Sequence, residues 1–115
     1  MQRILYFLQK VMTKDSAMKR ALAIARKVKG KTGNNPAVGA VIFKNGKIIA
    51  EGFTHLPGHD HAEKDALKRA GNRAKNGEMA VTLEPCCHFG RTPPCTRAII
   101  EAGIKKCYVA LKDPN

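Results

Sequence analysis

The segments His-Ala-Glu at 61–63 and Pro-Cys at 85–86, followed by Cys95, decide the fold and chemistry of this 115-residue chain. One histidine and two cysteines can hold a zinc ion at three corners and leave the fourth for water, as a catalytic zinc site requires. Glu63 lies two residues after the histidine, so its carboxylate is placed to handle the proton of that water. We therefore expect a catalytic zinc site with His61, Cys86 and Cys95 as ligands and Glu63 as the acid–base group.

Each of these residues also has an ordinary structural interpretation. His61 alone fits a surface or helix-capping histidine, and Glu63 alone fits a carboxylate stabilised by the dipole at a helix N-terminus. A lone cysteine is usually a small buried apolar residue. A purely structural zinc site is a further alternative, with Cys87 or His88 as the fourth ligand. The order and spacing of the whole set favour the catalytic site over these alternatives.

Hydrophobic periodicity predicts three helices and four strands in the order αββαβαβ, which is an α/β layered fold. The first helix is predicted from the spacing of Met18, Ala21, Leu22, Ala25 and Val28, with Asp15 or Ser16 as its N-cap. The other predicted elements are strands at 37–43, 48–50, 79–83 and 107–111, and helices starting at 61 and 95.

Glycines and one cysteine complete this prediction. The dipeptide Asn45-Gly46 between the first two strands is a strong hairpin signal. Gly103 is expected to stop the third helix. Cys107 falls inside the fourth strand, and we expect it in the core.

A sheet of this kind is expected to have one more strand and helix, so we expect the domain to be truncated at its C-terminus.

The net charge of +12, from 21 Lys and Arg against 9 Asp and Glu, is concentrated near the N-terminus. Residues 1–31 carry nine basic residues and one acidic residue. Such a surface attracts phosphate-bearing partners, nucleic acid included. Aromatic residues are only 5% of the chain and none is interleaved with the basic residues as a stacking platform requires. We therefore favour a solvated basic surface and expect no nucleic-acid substrate.

The N-terminus and the cysteines indicate the compartment. The apolar run at 4–8 ends at Gln9 and Lys10, too early for a signal-peptide core, and it is too short to span a membrane. The four cysteines, close to a histidine and a glutamate, favour thiols in a reducing compartment over a disulfide framework. We expect a cytoplasmic protein with no membrane partner.

These residues resemble the deaminase domain of the RibD family of bifunctional riboflavin-biosynthesis proteins, a branch of the cytidine-deaminase-like superfamily. The matching segments are Asn-Asn-Pro-Ala-Val-Gly-Ala-Val at 34–41, His-Ala-Glu at 61–63, Thr-Leu-Glu-Pro-Cys at 82–86, Gly-Arg-Thr-Pro-Pro-Cys at 90–95 and Asp-Pro-Asn at 113–115. Eight residues separate the two cysteines, whereas nucleoside and tRNA deaminases carry a short Pro-Cys-x-x-Cys.

The resemblance implies a three-layer α/β/α cytidine-deaminase-like fold with a central mixed sheet. It assigns residues 1–14 to an N-terminal extension and 15–115 to a zinc-dependent deaminase domain. The implied reaction is zinc-dependent hydrolytic deamination of diaminohydroxyphosphoribosylaminopyrimidine to the corresponding aminouracil. The implied substrate contacts are Asn35, His55, His88, Arg91, Asp113 and Asn115. The planar guanidinium of Arg91 suits the substrate phosphate because it can hold two oxygens at once.

The chain departs from the family pattern at several positions. Thr54 stands where family members commonly have a histidine, two residues after the glycine that matches Gly52, and His55 comes one place later. Asp60 replaces the usual proline before the zinc histidine, and Cys87 replaces the usual serine after the first zinc cysteine. The substrate contact implied at His55 is therefore displaced by one position.

Partners and competing functions follow from the same resemblance. We expect a homo-oligomer, and we expect the reductase activity of the bifunctional family on a separate polypeptide or on a missing C-terminal part. One alternative function is a nucleic-acid base deaminase that acts on tRNA or single-stranded DNA. Another is a non-catalytic module stabilised by zinc, which would bind the metal without turning over any aminopyrimidine.

Overall fold

The computed structural model describes residues 11–82 and 95–110, except for the side chain of Cys95. The element order is the predicted αββαβαβ, with one short 3₁₀ helix added. The elements are α1 (Lys14–Val28), β1 (Gly39–Lys44), β2 (Lys47–Phe53), α2 (Ala62–Ala70), the 3₁₀ helix (Gly71–Ala74), β3 (Glu78–Val81), α3 (Cys95–Glu101) and β4 (Lys106–Val109).

The four strands form one mixed sheet in the spatial order β2-β1-β3-β4. Strand β1 is antiparallel to both β2 and β3, and β3 is parallel to β4. Strands β2, β3 and β4 therefore all run the same way, and they end at one edge of the sheet, where β1 begins. We call this side the carboxyl edge. Ligand sites in parallel α/β sheets usually lie at such an edge.

The sheet is covered by helices on both faces, as the three-layer fold requires. Helices α2 and α3 cover one face, and their core includes Ala66, Ile99 and Met79. Helix α1 covers the other face, where Ala21 and Val41 are fully buried. The predicted three-layer α/β/α architecture with a mixed sheet is confirmed. No helix in residues 11–82 and 95–110 is long and apolar enough to cross a bilayer.

The hairpin between β1 and β2 forms at the predicted dipeptide. Asn45 and Gly46 have φ of 53° and 79°, so both occupy the left-handed region that favours these residue types. Strand β2 extends to Phe53, three residues beyond the predicted end at 50. Glu51 continues the strand by pairing with Val41 of β1, and Arg20 of α1 binds its carboxylate through two hydrogen bonds, of 2.6 and 3.0 Å. The sequence alone shows no strand pattern there.

The N-cap predicted for helix α1 was wrong by two or more residues. Thr13 is the N-cap, and its hydroxyl accepts a hydrogen bond of 3.2 Å from the backbone N–H of Ser16. The Ser16 hydroxyl in turn accepts a hydrogen bond of 2.7 Å from the backbone N–H of Thr13. Ser16 therefore takes part in a reciprocal capping box as its third helical residue rather than as the cap.

The buried face of α1 also differs from the predicted one. Leu22 was placed on the apolar face, yet it is 37% exposed, whereas Ala17, Ala21 and Ile24 are buried. A Cβ atom at Gly39 of β1 would collide with the carbonyl oxygen of Ala21. The helix thus approaches the strand too closely for a leucine, and the small alanines face the sheet instead.

Candidate active site

Helix α2 begins at the carboxyl edge and carries two of the predicted catalytic residues in its first turn. Strand β2 ends at that edge with Phe53, and the loop 54–60 leads into the helix. His61 is the N-cap, with extended backbone angles of φ −74° and ψ 167°, and Glu63 lies in the first turn. The chain therefore places the imidazole and the carboxylate at the same end of one rigid element.

Glu63 is a buried carboxylate, only 4% exposed. Its burial raises the pKa of the carboxyl above the usual glutamate value, although its own backbone hydrogen bond and the nearby His61 act in the opposite direction. A carboxyl with a raised pKa can both accept and return a proton near neutral pH. The position and environment of Glu63 therefore suit a proton shuttle.

Helix α3 begins at Cys95, and the topology brings it to the same edge. It follows strand β3, which runs parallel to β2 and ends at the carboxyl edge. Helices α2 and α3 share one core through Ala66, Ala70 and Ile99. Helices α2 and α3 therefore pack on the same face of the sheet, and each follows a strand that ends at the carboxyl edge. Cys86, His88, Arg91, Asp113 and Asn115 lie outside the described residues, as does the side chain of Cys95.

The donor set at this edge fits a zinc ion. Within residues 11–82 and 95–110, no group of three or more His, Cys, Asp or Glu side chains is arranged to hold a metal. Two of the three predicted ligand side chains fall outside those ranges. The available observation is chemical: an imidazole and two thiols are preferred zinc ligands, and the imidazole of His61 lies on the same helix start as the buried carboxylate of Glu63. The fourth position of such a site remains for water.

Asn35, a predicted substrate contact, lies before β1 at the carboxyl edge in a tight turn. The Thr32 hydroxyl donates a hydrogen bond of 2.6 Å to the carbonyl oxygen of Asn35. The Asn35 N–H donates one of 3.1 Å to the Thr32 carbonyl oxygen. Thr32 is only 3% exposed, so this turn is fixed from inside the protein. Sequence reasoning did not single out Thr32.

Two buried threonines hold the start of β1, and sequence reasoning missed this function as well. The N–H of Val38 donates a hydrogen bond of 2.9 Å to the Thr54 hydroxyl, and the N–H of Gly39 donates one of 3.1 Å to the Thr82 hydroxyl. Thr54 follows β2 and Thr82 follows β3. The Thr54 side chain therefore points into the protein and is bound there.

His55, another predicted substrate contact, is bound to helix α2. Its Nε2 atom lies 3.2 Å from Oδ2 of Asp65, and its ring lies 4.5 Å from that of Phe53, measured between centroids. The buried Asp65 carboxylate also accepts hydrogen bonds from the Phe53 N–H at 3.1 Å and from Arg69 Nε at 3.2 Å. Helix α2 buries two acidic residues, Glu63 and Asp65, among its alanines, and an acidic residue among alanines was the available signal for Asp65.

A cavity of about 290 Å³ adjoins His55 on the side of helix α1. Lys31, His55 and His59 contribute its basic groups, and Phe53 and Leu56 contribute apolar walls. His55 therefore contacts Asp65 of helix α2 and also lines this cavity. The structure does not bring His55 and Asn35 together through any hydrogen bond among the described residues.

Cys107 corrects a prediction about the core. The residue is exposed on strand β4, which has only β3 as a partner in the described sheet. Desolvation by its neighbours, with a smaller contribution from the charge of Glu63, raises the pKa of the thiol to about 11. The prediction that Cys107 is buried was wrong. The sequence pattern predicts that Cys107 lies in a strand, but it does not predict how completely neighbouring residues cover its side chain.

Comparison with known proteins extends these observations. Residues 12–111 match the family model described as the cytidine and deoxycytidylate deaminase zinc-binding region. The riboflavin biosynthesis protein RibD of Aquifex aeolicus is 57% identical over 98 residues, which are 85% of this chain and 28% of that protein.

Solved structures give the same result. RibD of Acinetobacter baumannii is similar with a TM-score of 0.80 and 45% identity, over 89% of this chain and 29% of that one. A second similar structure is the diaminohydroxyphosphoribosylaminopyrimidine deaminase/5-amino-6-(5-phosphoribosylamino)uracil reductase of Thermotoga maritima. Its TM-score is 0.75 and its identity 46%, over 89% of this chain and 30% of that one. The chain thus spans less than a third of the length of these relatives.

Proposed function

The chain belongs to the cytidine and deoxycytidylate deaminase zinc-binding family, and we propose that it deaminates diaminohydroxyphosphoribosylaminopyrimidine in riboflavin biosynthesis. Water replaces the exocyclic amine of the ring, so the products are ammonia and the corresponding phosphoribosylaminouracil. The choice of substrate is supported by the segment Gly-Arg-Thr-Pro-Pro-Cys at 90–95 and by the 57% identity to a RibD protein.

The observation that carries the proposed chemistry is the buried Glu63 in the first turn of α2, directly after His61 and Ala62. His61, Cys86 and Cys95 hold the zinc ion in this proposal. When bound, zinc lowers the pKa of a coordinated water to about 7, so that hydroxide is available at neutral pH. The family is a zinc-binding one, which supports this assignment.

Glu63 moves the protons of the reaction. It accepts a proton from the attacking water and delivers it to a ring nitrogen of the pyrimidine, which makes the carbon that bears the amine more electrophilic. It then takes the second proton of that water, which is now a hydroxyl on the ring carbon, and carries it to the departing amine, so that the carbon becomes a carbonyl and the amine leaves as ammonia. The raised pKa of the Glu63 carboxyl supports this function because the group must hold the proton between the two transfers.

The remaining predicted residues bind the substrate in this proposal. Asn35 contacts the pyrimidine, and its turn is held by Thr32. Arg91 binds the phosphate, since a guanidinium can hold two of its oxygens. His88, Asp113 and Asn115 border the same site. His55 contributes at its rim, where Asp65 fixes its imidazole.

Incubation of the zinc-loaded chain with freshly prepared substrate tests the proposal through ammonia release. We expect turnover from the wild type and loss of nearly all turnover in Glu63→Gln, with unchanged zinc content. Glu51→Gln is the matched control, because Glu51 is an acidic residue of strand β2 whose carboxylate is bound to Arg20.

Several outcomes would contradict the proposal. Turnover retained in Glu63→Gln would exclude the proton-shuttle assignment. A folded wild type with one zinc per chain and no ammonia release would exclude this substrate. Release from single-stranded nucleic acid instead would favour the nucleic-acid deaminase alternative.

We also propose that the domain at 15–115 forms a homo-oligomer in the cytoplasm. In this proposal the reductase step, which the Thermotoga maritima relative carries by its name, takes place on another domain or polypeptide. Light scattering on the purified chain measures the oligomeric state. A monomer at every concentration would exclude the proposed assembly.

A further inference from the structure

We propose that Asp65 and Thr54 are positioning residues, which hold the Asn35 turn and the Glu63 helix in one geometry through the end of strand β2. We call this connection the Asp65–Thr54 bridge. The inference rests on the proposed function, because the proposed function assigns Asn35 to the pyrimidine and Glu63 to proton transfer. Neither Asp65 nor Thr54 touches the reacting atoms in this account.

Asp65 joins helix α2 to strand β2. Its carboxylate accepts a hydrogen bond of 3.1 Å from the N–H of Phe53, the last residue of the strand. Its own backbone N–H donates a hydrogen bond of 2.9 Å to the carbonyl oxygen of His61. The residue therefore belongs to the turn that carries Glu63. Hydrogen bonds to an ionised carboxylate are stronger than neutral ones, so this contact restrains the turn against the strand.

The charge of Asp65 is offset within the protein. Asp65 is 8% exposed, and its two oxygens receive the His55 imidazole and the Arg69 guanidinium in addition to the backbone N–H. A buried carboxylate without such partners would be strongly destabilising. The structure thus keeps the Asp65 carboxylate buried at the point where it accepts the hydrogen bond from the Phe53 N–H.

Thr54 joins the same strand end to β1. Its N–H donates a hydrogen bond of 3.1 Å to the carbonyl oxygen of Val38, and its hydroxyl accepts one of 2.9 Å from the N–H of Val38. The regular pairing of β1 and β2 ends at Gly39 opposite Phe53. Thr54 therefore extends the pairing of β1 and β2 by one residue, to Val38. This is the side of β1 that leads back to Asn35, beyond the last regular pair of the two strands.

The two connections leave from neighbouring residues, so they act on one short segment. Phe53 is bound by α2 and Thr54 binds β1. Gly52 lies against the same helix, since a Cβ there would collide with the backbone of Ala62 and Ala66. A shift of the strand end would change the separation of the Asn35 turn from Glu63. A misplacement of about 1 Å can lower a catalytic rate by about a hundredfold.

Steady-state kinetics and the visible spectrum of the cobalt-substituted chain test the bridge. For Thr54→Val we expect KM to rise about tenfold while kcat and the cobalt spectrum stay near the wild type. The substitution removes the hydroxyl that holds Val38, so the Asn35 turn before β1 is displaced. For Asp65→Ala we expect kcat to fall about tenfold and the cobalt spectrum to change, since His61 moves with its turn and these bands depend on ligand geometry.

The matched controls keep a hydrogen-bonding atom in place. Thr54→Ser retains the hydroxyl, so it should stay within about twofold of the wild type in KM and kcat. Asp65→Asn retains an acceptor for the Phe53 N–H but loses the charge that pairs with His55 and Arg69, so its loss of kcat should be smaller than that of Asp65→Ala. Asp65→Glu keeps the charge but displaces the carboxylate by one methylene. It should shift the cobalt spectrum in a folded chain even if Asp65→Ala does not fold.

The outcomes separate this inference from the proposed function. A cobalt spectrum that is unchanged in Asp65→Ala and in Asp65→Glu overturns the bridge, whatever the substrate is. Equal losses of thermal stability with unchanged KM and kcat in Thr54→Val and Asp65→Ala would show a purely structural function and overturn it too. If the wild type releases no ammonia, the proposed substrate fails, and the spectra of the Asp65 variants still decide the bridge.

Discussion

Cys107 is accessible to solvent, yet we expect its thiol to react slowly at neutral pH. Its thiol is exposed on strand β4, but desolvation raises its pKa to about 11. Only the thiolate reacts with alkylating agents, and a raised pKa means that the thiolate appears only as the pH approaches that value. Exposure alone would give a misleading estimate of its reactivity.

We expect Cys107 to react slowly with iodoacetamide at neutral pH and about tenfold faster for each unit of pH up to about 11. Site-resolved mass spectrometry of the zinc-loaded chain measures this rate separately from those of the other cysteines. A small thiol peptide in the same reaction corrects for the reagent. A half-maximal rate near pH 8.5, the value of an ordinary cysteine, would contradict the prediction.

Residues whose chemistry is local could be predicted from the sequence, and residues whose function depends on partners could not. His61 and Glu63 could be proposed as site residues from the sequence because a metal ligand and a carboxylate at that spacing have few other uses together. Thr54 and Asp65 were missed because a hydroxyl or carboxylate is commonly solvated. Their partners, Val38 and Phe53, become neighbours only when the sheet forms.

At the scale of elements, the order of helices and strands could be predicted but the contacts between them could not. Hydrophobic periodicity, together with glycines at the turns and helix ends, predicted the three α-helices and four strands in their correct order along the chain. Of the predicted apolar face of α1, Ala21 is buried but Leu22 is exposed, because the close contact of the helix with Gly39 leaves room only for a small side chain there. The end of β2 was missed because its last residues are stabilised by Arg20 and by Asp65, which are distant in the sequence.

Gly52 tests the contact between strand β2 and helix α2. We expect Gly52→Ala to lower the free energy of unfolding by about 3 kcal/mol, because the new methyl group overlaps backbone atoms that cannot rearrange as a side chain would. Urea denaturation followed by circular dichroism gives this value.

Gly58→Ala is the control for that substitution. Gly58 has φ of 93° and open space around its Cβ position, so only backbone strain is expected there, at about 1 kcal/mol. Equal stabilities of the two variants would show that the strand and the helix can separate without cost.

At the scale of the whole molecule, the proposed zinc ligands come from separate segments of the chain. His61 begins α2, Cys95 begins α3, and Cys86 lies between β3 and α3 in the sequence. An ion that binds only the folded chain adds stability, by about 4 kcal/mol when free zinc is about a thousand times its dissociation constant. The metal would therefore act as a cross-link between the two helices on one face of the sheet.

We expect a chelator to lower the thermal unfolding midpoint of the chain and added zinc to restore it. Differential scanning calorimetry at several zinc concentrations measures the shift. His61→Ala should unfold at a midpoint that no longer depends on zinc, which makes it the control for non-specific binding. A wild type whose midpoint is unaffected by zinc would exclude the proposed ligand set.

The outer position of strand β2 has a consequence for the protein at high concentration. An uncovered strand edge can accept a strand from a second molecule and begin aggregation. In the described sheet β2 has β1 as its only partner, but the register shifts between Ile42 and Phe43, and Lys47 is exposed near its start. An irregular edge with a charged residue is a poor template for intermolecular β-sheet, so we expect fibrils not to start from this side of the molecule.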